Sequence, residues 1–169
     1  MDTVKIKGVE VLLKEDFPQA GAALEEMYYI KQNLNEESIY DIEADVKVIL
    51  TVPSLDTGVC ANETRMFNEL MSSKKGVKTI VVSKDLPFAL KRFCETNGIE
   101  NVEAVSDYRY HDFGNELGVV MSTGPLKGLL ARAVIVANSE NKVVYSQLVP
   151  DILQEPDYKE VEEAVDKLL

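Results

Sequence analysis

At 169 residues, 46% of them hydrophobic, the chain has the length of one domain and enough apolar material to bury a core without disulfide or metal staples. A formal net charge of −11 and a pI near 4.6 argue against nucleic acid or an anionic membrane as partner, since both require clustered cations to displace counterions. No window of eighteen apolar residues occurs, and the segment from Met1 to Lys7 lacks the apolar core of a secretory signal, so a cytoplasmic protein is expected, with residues 1–169 forming a single unit.

Residues 4–6 and 9–13, separated by Lys7-Gly8, read as an N-terminal β-hairpin, and residues 27–30 and 38–42 are further strand candidates. Residues 47–52 form a β-branched apolar run expected as a buried strand. It ends at Pro53, and residues 62–70, with Met66, Phe67 and Leu70 at helical spacing, follow as an amphipathic helix. Residues 77–82 predict a second buried strand, feeding a helix over 86–96 that stops at Asn97-Gly98. Residues 102–105 predict a third strand and 111–117 a short helix. Residues 133–137 and 142–148 pair as a hairpin, and a C-terminal helix over 157–169 turns Val161, Ala164, Val165 and Leu168 inward. This order predicts an α/β protein: a central mixed β-sheet flanked by helices, in a thioredoxin-like arrangement.

The segment Pro53-Ser54-Leu55-Asp56-Thr57-Gly58-Val59-Cys60 places one of only two cysteines where the first buried strand hands over to its helix, with Gly58 expected to allow the turn. A sulfur in a first helical turn faces unpaired backbone N–H groups and the positive end of the helix dipole, which favour a thiolate. A small buried cysteine in a strand-to-helix corner fits the same pattern. Two cysteines in a reducing compartment argue for a transient rather than a permanent disulfide. His111 is the only histidine, with no second imidazole or cysteine pair at ligand spacing, and reads as a surface helix residue; no metal or other cofactor is expected.

The spacing Pro53, Thr57, Cys60 resembles the signature of the peroxiredoxins, and the chain is similar to their atypical two-cysteine branch, the thiol peroxidases. Asp85-Leu86-Pro87-Phe88-Ala89 with Arg92-Phe93-Cys94 resembles that family's second-cysteine segment, and Gly124-Pro125-Leu126-Lys127-Gly128-Leu129 with Ala131-Arg132-Ala133 its arginine segment. Pro18-Gln19-Ala20-Gly21 and Glu155-Pro156-Asp157-Tyr158 extend the likeness to nearly the whole chain, while Leu24 to Tyr29 depart from the family's usual Ala-Pro-Asp-Phe-type segment.

The resemblance implies that the Cys60 thiolate attacks a hydroperoxide, that Thr57, Arg132 and the Cys60 N–H bind the peroxide oxygens, and that Pro53 shields the pocket. It further implies that Cys94 captures the resulting sulfenic acid as an intramolecular disulfide, that thioredoxin reduces this bond, and that the protein is a two-fold homodimer. An unperturbed thiol of pKa ~8.5 is already about 3% thiolate at pH 7, so ionisation adds at most roughly thirtyfold to the rate. Most of the acceleration must therefore come from donors aimed at the transition state. Bridged cysteines need Cα atoms within about 7 Å, so disulfide formation is expected to unwind the turn around Cys60, the helix over 86–96, or both. Two other readings stay open: a thiol–disulfide oxidoreductase, which would want two cysteines close together at the helix start where Ala61, Asn62 and Glu63 stand, and a redox sensor without turnover. Phe88 and Phe93 would favour alkyl or lipid hydroperoxides over hydrogen peroxide.

Overall fold

The computed structural model describes residues 2–169, so Met1, with which the N-terminal segment begins, lies outside the described residues. The Val, Ile and Leu run of β5 (Val46–Thr51) is buried at every position, as expected of a strand covered on both faces. It pairs in parallel with β6 (Val77–Ser83), which pairs in parallel with β7 (Glu103–Ser106), and antiparallel with β8 (Ala133–Asn138). Beyond β8 lies β9 (Val143–Leu148), beyond β7 lie β3 (Tyr28–Ile30) and β4 (Glu36–Ser38), and β1 (Thr3–Ile6) and β2 (Val9–Leu12) form a separate antiparallel pair. The large sheet has the order β4-β3-β7-β6-β5-β8-β9. This is a mixed, thioredoxin-like sheet with the N-terminal hairpin set apart.

Alternation along β5 divides the core. Val46, Val48 and Leu50 pack with residues of α1 (Gly58–Leu70), α2 (Pro87–Asn97) and α4 (Tyr158–Asp166), whereas Ile49 belongs to the layer under the hairpin and α3 (Asp112–Leu117). Both cysteines lie in the first layer.

The strand expected over residues 38–42 is shorter and earlier. Ser38 instead caps a 3₁₀ turn, Ile39–Asp41: its hydroxyl accepts from the Tyr40 N–H at 2.9 Å while the Asp41 carboxylate accepts from the Ser38 N–H at 2.9 Å. A reciprocal capping box outweighs the β-propensity of Ile39 and Tyr40. Lys47 interrupts the apolar face of β5 yet is buried, its ammonium donating to the Ile39 carbonyl at 2.8 Å and Asn141 Oδ1 at 2.7 Å; burial lowers its pKa. The lysine thereby ties the 3₁₀ turn to the β8–β9 connection.

Candidate active site

The turn between β5 and α1 is closed by side chains. Thr57, at the N-cap position of α1 with φ −100° and ψ 150°, donates its hydroxyl to the Ser54 carbonyl at 3.0 Å. Asp85 accepts from Ser54 Oγ at 2.7 Å, from the Leu55 N–H at 2.8 Å and from Ser83 Oγ at 2.8 Å. Its own carbonyl accepts from Ser106 Oγ at 2.6 Å. One aspartate thus fastens the turn to the ends of β6 and β7. Gly58 is the first residue of α1 and is not among the glycines with positive φ, so the turn needs no left-handed residue.

Cys60 follows in the first turn of α1 with no exposed surface, and Pro53 is buried beside the end of β5. Because Ala133 pairs with Thr51, Arg132 enters the layer alongside the start of α1. It is 1% exposed. Its guanidinium divides its work: Nε and Nη2 donate to the Ile152 carbonyl at 3.1 and 2.7 Å, leaving Nη1 at 3.4 Å from Cys60 Sγ and 3.4 Å from Glu63 Oε1. A planar fork held along one edge presents the other in a fixed direction, which a lysine cannot do.

Sequence reasoning missed Glu63. It stands one helical turn after Cys60 and is completely buried, with Oε2 lacking a hydrogen-bond partner. Burial pushes its pKa up to about 8, against the opposing pull of Arg132. Cys60 and Glu63 therefore share one cation. The i, i+3 spacing was the available signal, but an acidic residue on an amphipathic helix reads as solvent-facing.

The titration has a measurable sign. In the unfolded chain Glu63 releases its proton near 4.5, whereas in the fold it keeps it to about pH 8, so the native state binds more protons across that window and loses stability as pH rises through it. Glu63→Gln is expected to flatten this fall and to regain up to a few kcal/mol at the alkaline end, because each tenfold change in proton affinity between the two states is worth about 1.4 kcal/mol. Chemical unfolding of the reduced protein at several pH values measures it; parallel curves for the two proteins would mean that Glu63 is ionised throughout.

Cys94 sits in the second half of α2, 7% exposed and, like Cys60, a free thiol. Burial pushes its pKa up, partly offset by the Gln32 side chain. Asn97 and Gly98 end the helix, Gly98 in the left-handed region at φ +63°, and Arg65 Nη1 of α1 donates to Asn97 Oδ1 at 2.9 Å. The C-terminal motif also reaches the site: Glu155 Oε1 accepts from Asn62 Nδ2 and from the Tyr158 hydroxyl, each at 2.6 Å, and the Tyr158 ring packs on Phe67. The structure thus brings Cys60, Arg132 and Glu63 together, sets Pro53 and Thr57 in the adjoining turn, and holds Cys94 on a separate helix.

His111 is not within a helix but precedes one. It takes a left-handed conformation (φ 60°) at the N-cap of α3, with Nδ1 2.7 Å from Lys84 Nζ. Lys84 also donates to the buried Asp107, whose carboxylate accepts from the N–H groups of Phe113 and Gly114. Among the described residues no group of three or more His, Cys, Asp or Glu side chains is placed to hold a metal ion.

Residues 16–163 match the Redoxin family. The chain is 47% identical over 167 residues to a thiol peroxidase of Aquifex aeolicus, covering 99% of this chain and 98% of the relative, and 45% identical over 158 residues to one of Corynebacterium glutamicum, covering 94% and 95%. Among solved structures, a peroxiredoxin-like protein from Aquifex aeolicus superposes with a TM-score of 0.95 at 46% identity, over 100% of this chain and 98% of that one. A thiol peroxidase from Chromobacterium violaceum shares the fold at a TM-score of 0.90 and 24% identity, over 98% and 95% of the two chains. With a guanidinium set against a buried thiol in the first turn of α1, the chain belongs to the redoxin family, as a thiol-dependent peroxidase of the peroxiredoxin type.

Proposed function

We propose that the chain reduces hydroperoxides through Cys60, with Cys94 as the resolving cysteine. The Cys60 thiolate gives an electron pair to the terminal oxygen of the hydroperoxide, the O–O bond breaks, and the alcohol or water leaves after taking a proton. The observation that carries this reading is the 3.4 Å approach of Arg132 Nη1 to Cys60 Sγ inside a fully buried site. There a fixed cation stabilises charge on both the sulfur and the departing oxygen. In this reading the Thr57 hydroxyl leaves the Ser54 carbonyl, which it now donates to, for a peroxide oxygen, and Pro53 keeps water off the sulfur. Since Cys60 has no exposed surface, admitting substrate requires the turn over residues 53–58 to shift.

The Cys60 sulfenic acid is then captured by Cys94, and the disulfide is reduced by a dithiol protein, thioredoxin in our reading. Such a cycle needs a reducing compartment, which is why we place the protein in the cytoplasm. Leu86 and Phe88, 52% and 66% exposed beside the Asp85 anchor, offer apolar surface for the contact of a two-fold dimer in our reading.

The test is NADPH consumption in a thioredoxin recycling system with hydrogen peroxide or cumene hydroperoxide. Sustained turnover is expected. Insulin reduction without peroxide turnover would indicate a disulfide oxidoreductase instead, and a single stoichiometric oxidation a sensor. Cys94→Ser should stop turnover yet still consume about one equivalent of peroxide, leaving a sulfenic acid trappable at Cys60, because capture follows attack. Loss of that first equivalent in Cys94→Ser would overturn the division of roles.

A further inference from the structure

The turn joining β3 to β4 sends one side chain to the second cysteine. Gln32 Nε2 lies 3.6 Å from Cys94 Sγ and 3.2 Å from the Ala104 carbonyl of β7. An amide nitrogen carries two hydrogens, so it serves both acceptors at once, and the sulfur contact is within range for so large an acceptor. The second acceptor is available because β3 meets β7 only at Ile30↔Ser106; two residues back along β7, the Gln32 side chain takes the carbonyl that a longer β3 would have covered. The turn carrying Gln32 is itself braced, with the Lys31 N–H donating to the Asn35 carbonyl at 2.8 Å.

The thiol therefore rests in a defined place, pinned to the sheet from outside α2. Gln32 and Cys94 together line a surface cavity of about 290 Å³, with Glu95, Gly98, Ile99 and Glu100. Burial there disfavours a thiolate while Cys94 stays put.

We infer that Gln32 is a positioning residue, a latch that holds Cys94 in its resting place and limits how fast this thiol is released to capture the Cys60 sulfenic acid. The inference rests on the roles proposed above for the two cysteines. In the step concerned the Cys94 thiolate attacks Cys60 Sγ, an S–S bond forms, the S–O bond breaks, and the departing hydroxide takes up a proton as water. Cys94 must leave the Gln32 amide before the new bond forms, so the contact stabilises the state before the transition state and not the transition state itself. Removing it should speed capture.

The experiment uses the full chain, reduced and mixed rapidly with hydrogen peroxide. Gln32→Met keeps the length of the side chain and loses both donors. It should consume the first equivalent of peroxide at the wild-type rate and form the disulfide about fivefold faster, the factor for one ordinary hydrogen bond lost. Over-oxidation of Cys60 to the sulfinic acid, which competes with capture, should then require correspondingly more peroxide. Gln32→Asn, too short to span both acceptors, should behave alike and stands in if the methionine variant folds poorly. An unchanged capture rate in both variants would overturn the latch. A slower one would also overturn it, showing that the amide activates the thiol where it rests. Failure of the wild type to consume a first equivalent would instead refute the role of Cys60, whatever Gln32 does.

Discussion

Replacing Cys60 by serine is expected to abolish peroxide turnover while the fold survives. The residue is wholly enclosed, and serine fills almost the same space. Its hydroxyl oxygen is a good acceptor for Arg132 Nη1, now at 3.4 Å from the sulfur, so the structural cost should be about 1 kcal/mol. The chemical cost is far larger. A serine hydroxyl stays protonated and has no base beside it, since the nearest carboxyl, Glu63, keeps its own proton up to about pH 8. Nor can Cys94 take over: its sulfur faces the Gln32 amide rather than a guanidinium, and burial raises its pKa. Losing a nucleophile without a substitute costs roughly a thousandfold or more. Coupled turnover together with thermal unfolding tests both halves of the expectation. Turnover within tenfold of wild type would remove Cys60 from the reaction, whereas a variant that unfolds near room temperature would show that the sulfur carries structure as well as chemistry.

The parts of this site that were readable in the sequence are those encoded locally. The β5 run, the proline that ends it and the helix that follows are set by neighbours in the chain, and so is the place of Cys60 in the first turn. The meeting of Cys60 with Arg132 is not local. It depends on β8 lying antiparallel beside β5 in the strand order, which periodicity does not reveal; motif resemblance alone pointed to it. Side-chain partnerships were hidden for a different reason. Gln32 lies in a polar turn, Asp85 belongs to the second-cysteine motif without showing that it anchors the Cys60 turn, and Glu63 reads as a solvated face, because composition does not say which polar residue is buried against what. The strand expected over residues 38–42 failed on similar grounds: the Ser38–Asp41 box is a two-residue device within a β-prone stretch.

Arg132→Ala should leave a folded protein whose attack on peroxide is slowed by about a hundred- to a thousandfold, the usual cost of deleting one preorganised donor aimed at developing charge. The arrangement of the fork explains why so much rests on one side chain. With Nε and Nη2 committed to the Ile152 carbonyl, Nη1 alone faces the sulfur, and it does so without reorganising during the reaction. Removing the arginine also strips the Ile152 carbonyl of both donors, a loss of about 1–3 kcal/mol in stability that is separate from the chemistry. Arg132→Lys divides the two effects. A single ammonium can reach the carbonyl or the sulfur but cannot hold the fork's geometry, so it should restore more stability than rate. Measuring attack at a pH where thiols are fully ionised removes any contribution from thiolate formation. If the alanine variant then reacts as fast as wild type, Arg132 serves only to ionise Cys60 and has no part in breaking the O–O bond. If it remains slow by the factor expected, the guanidinium acts on the leaving oxygen, and the pairing of a fixed cation with a buried thiol is the source of the rate.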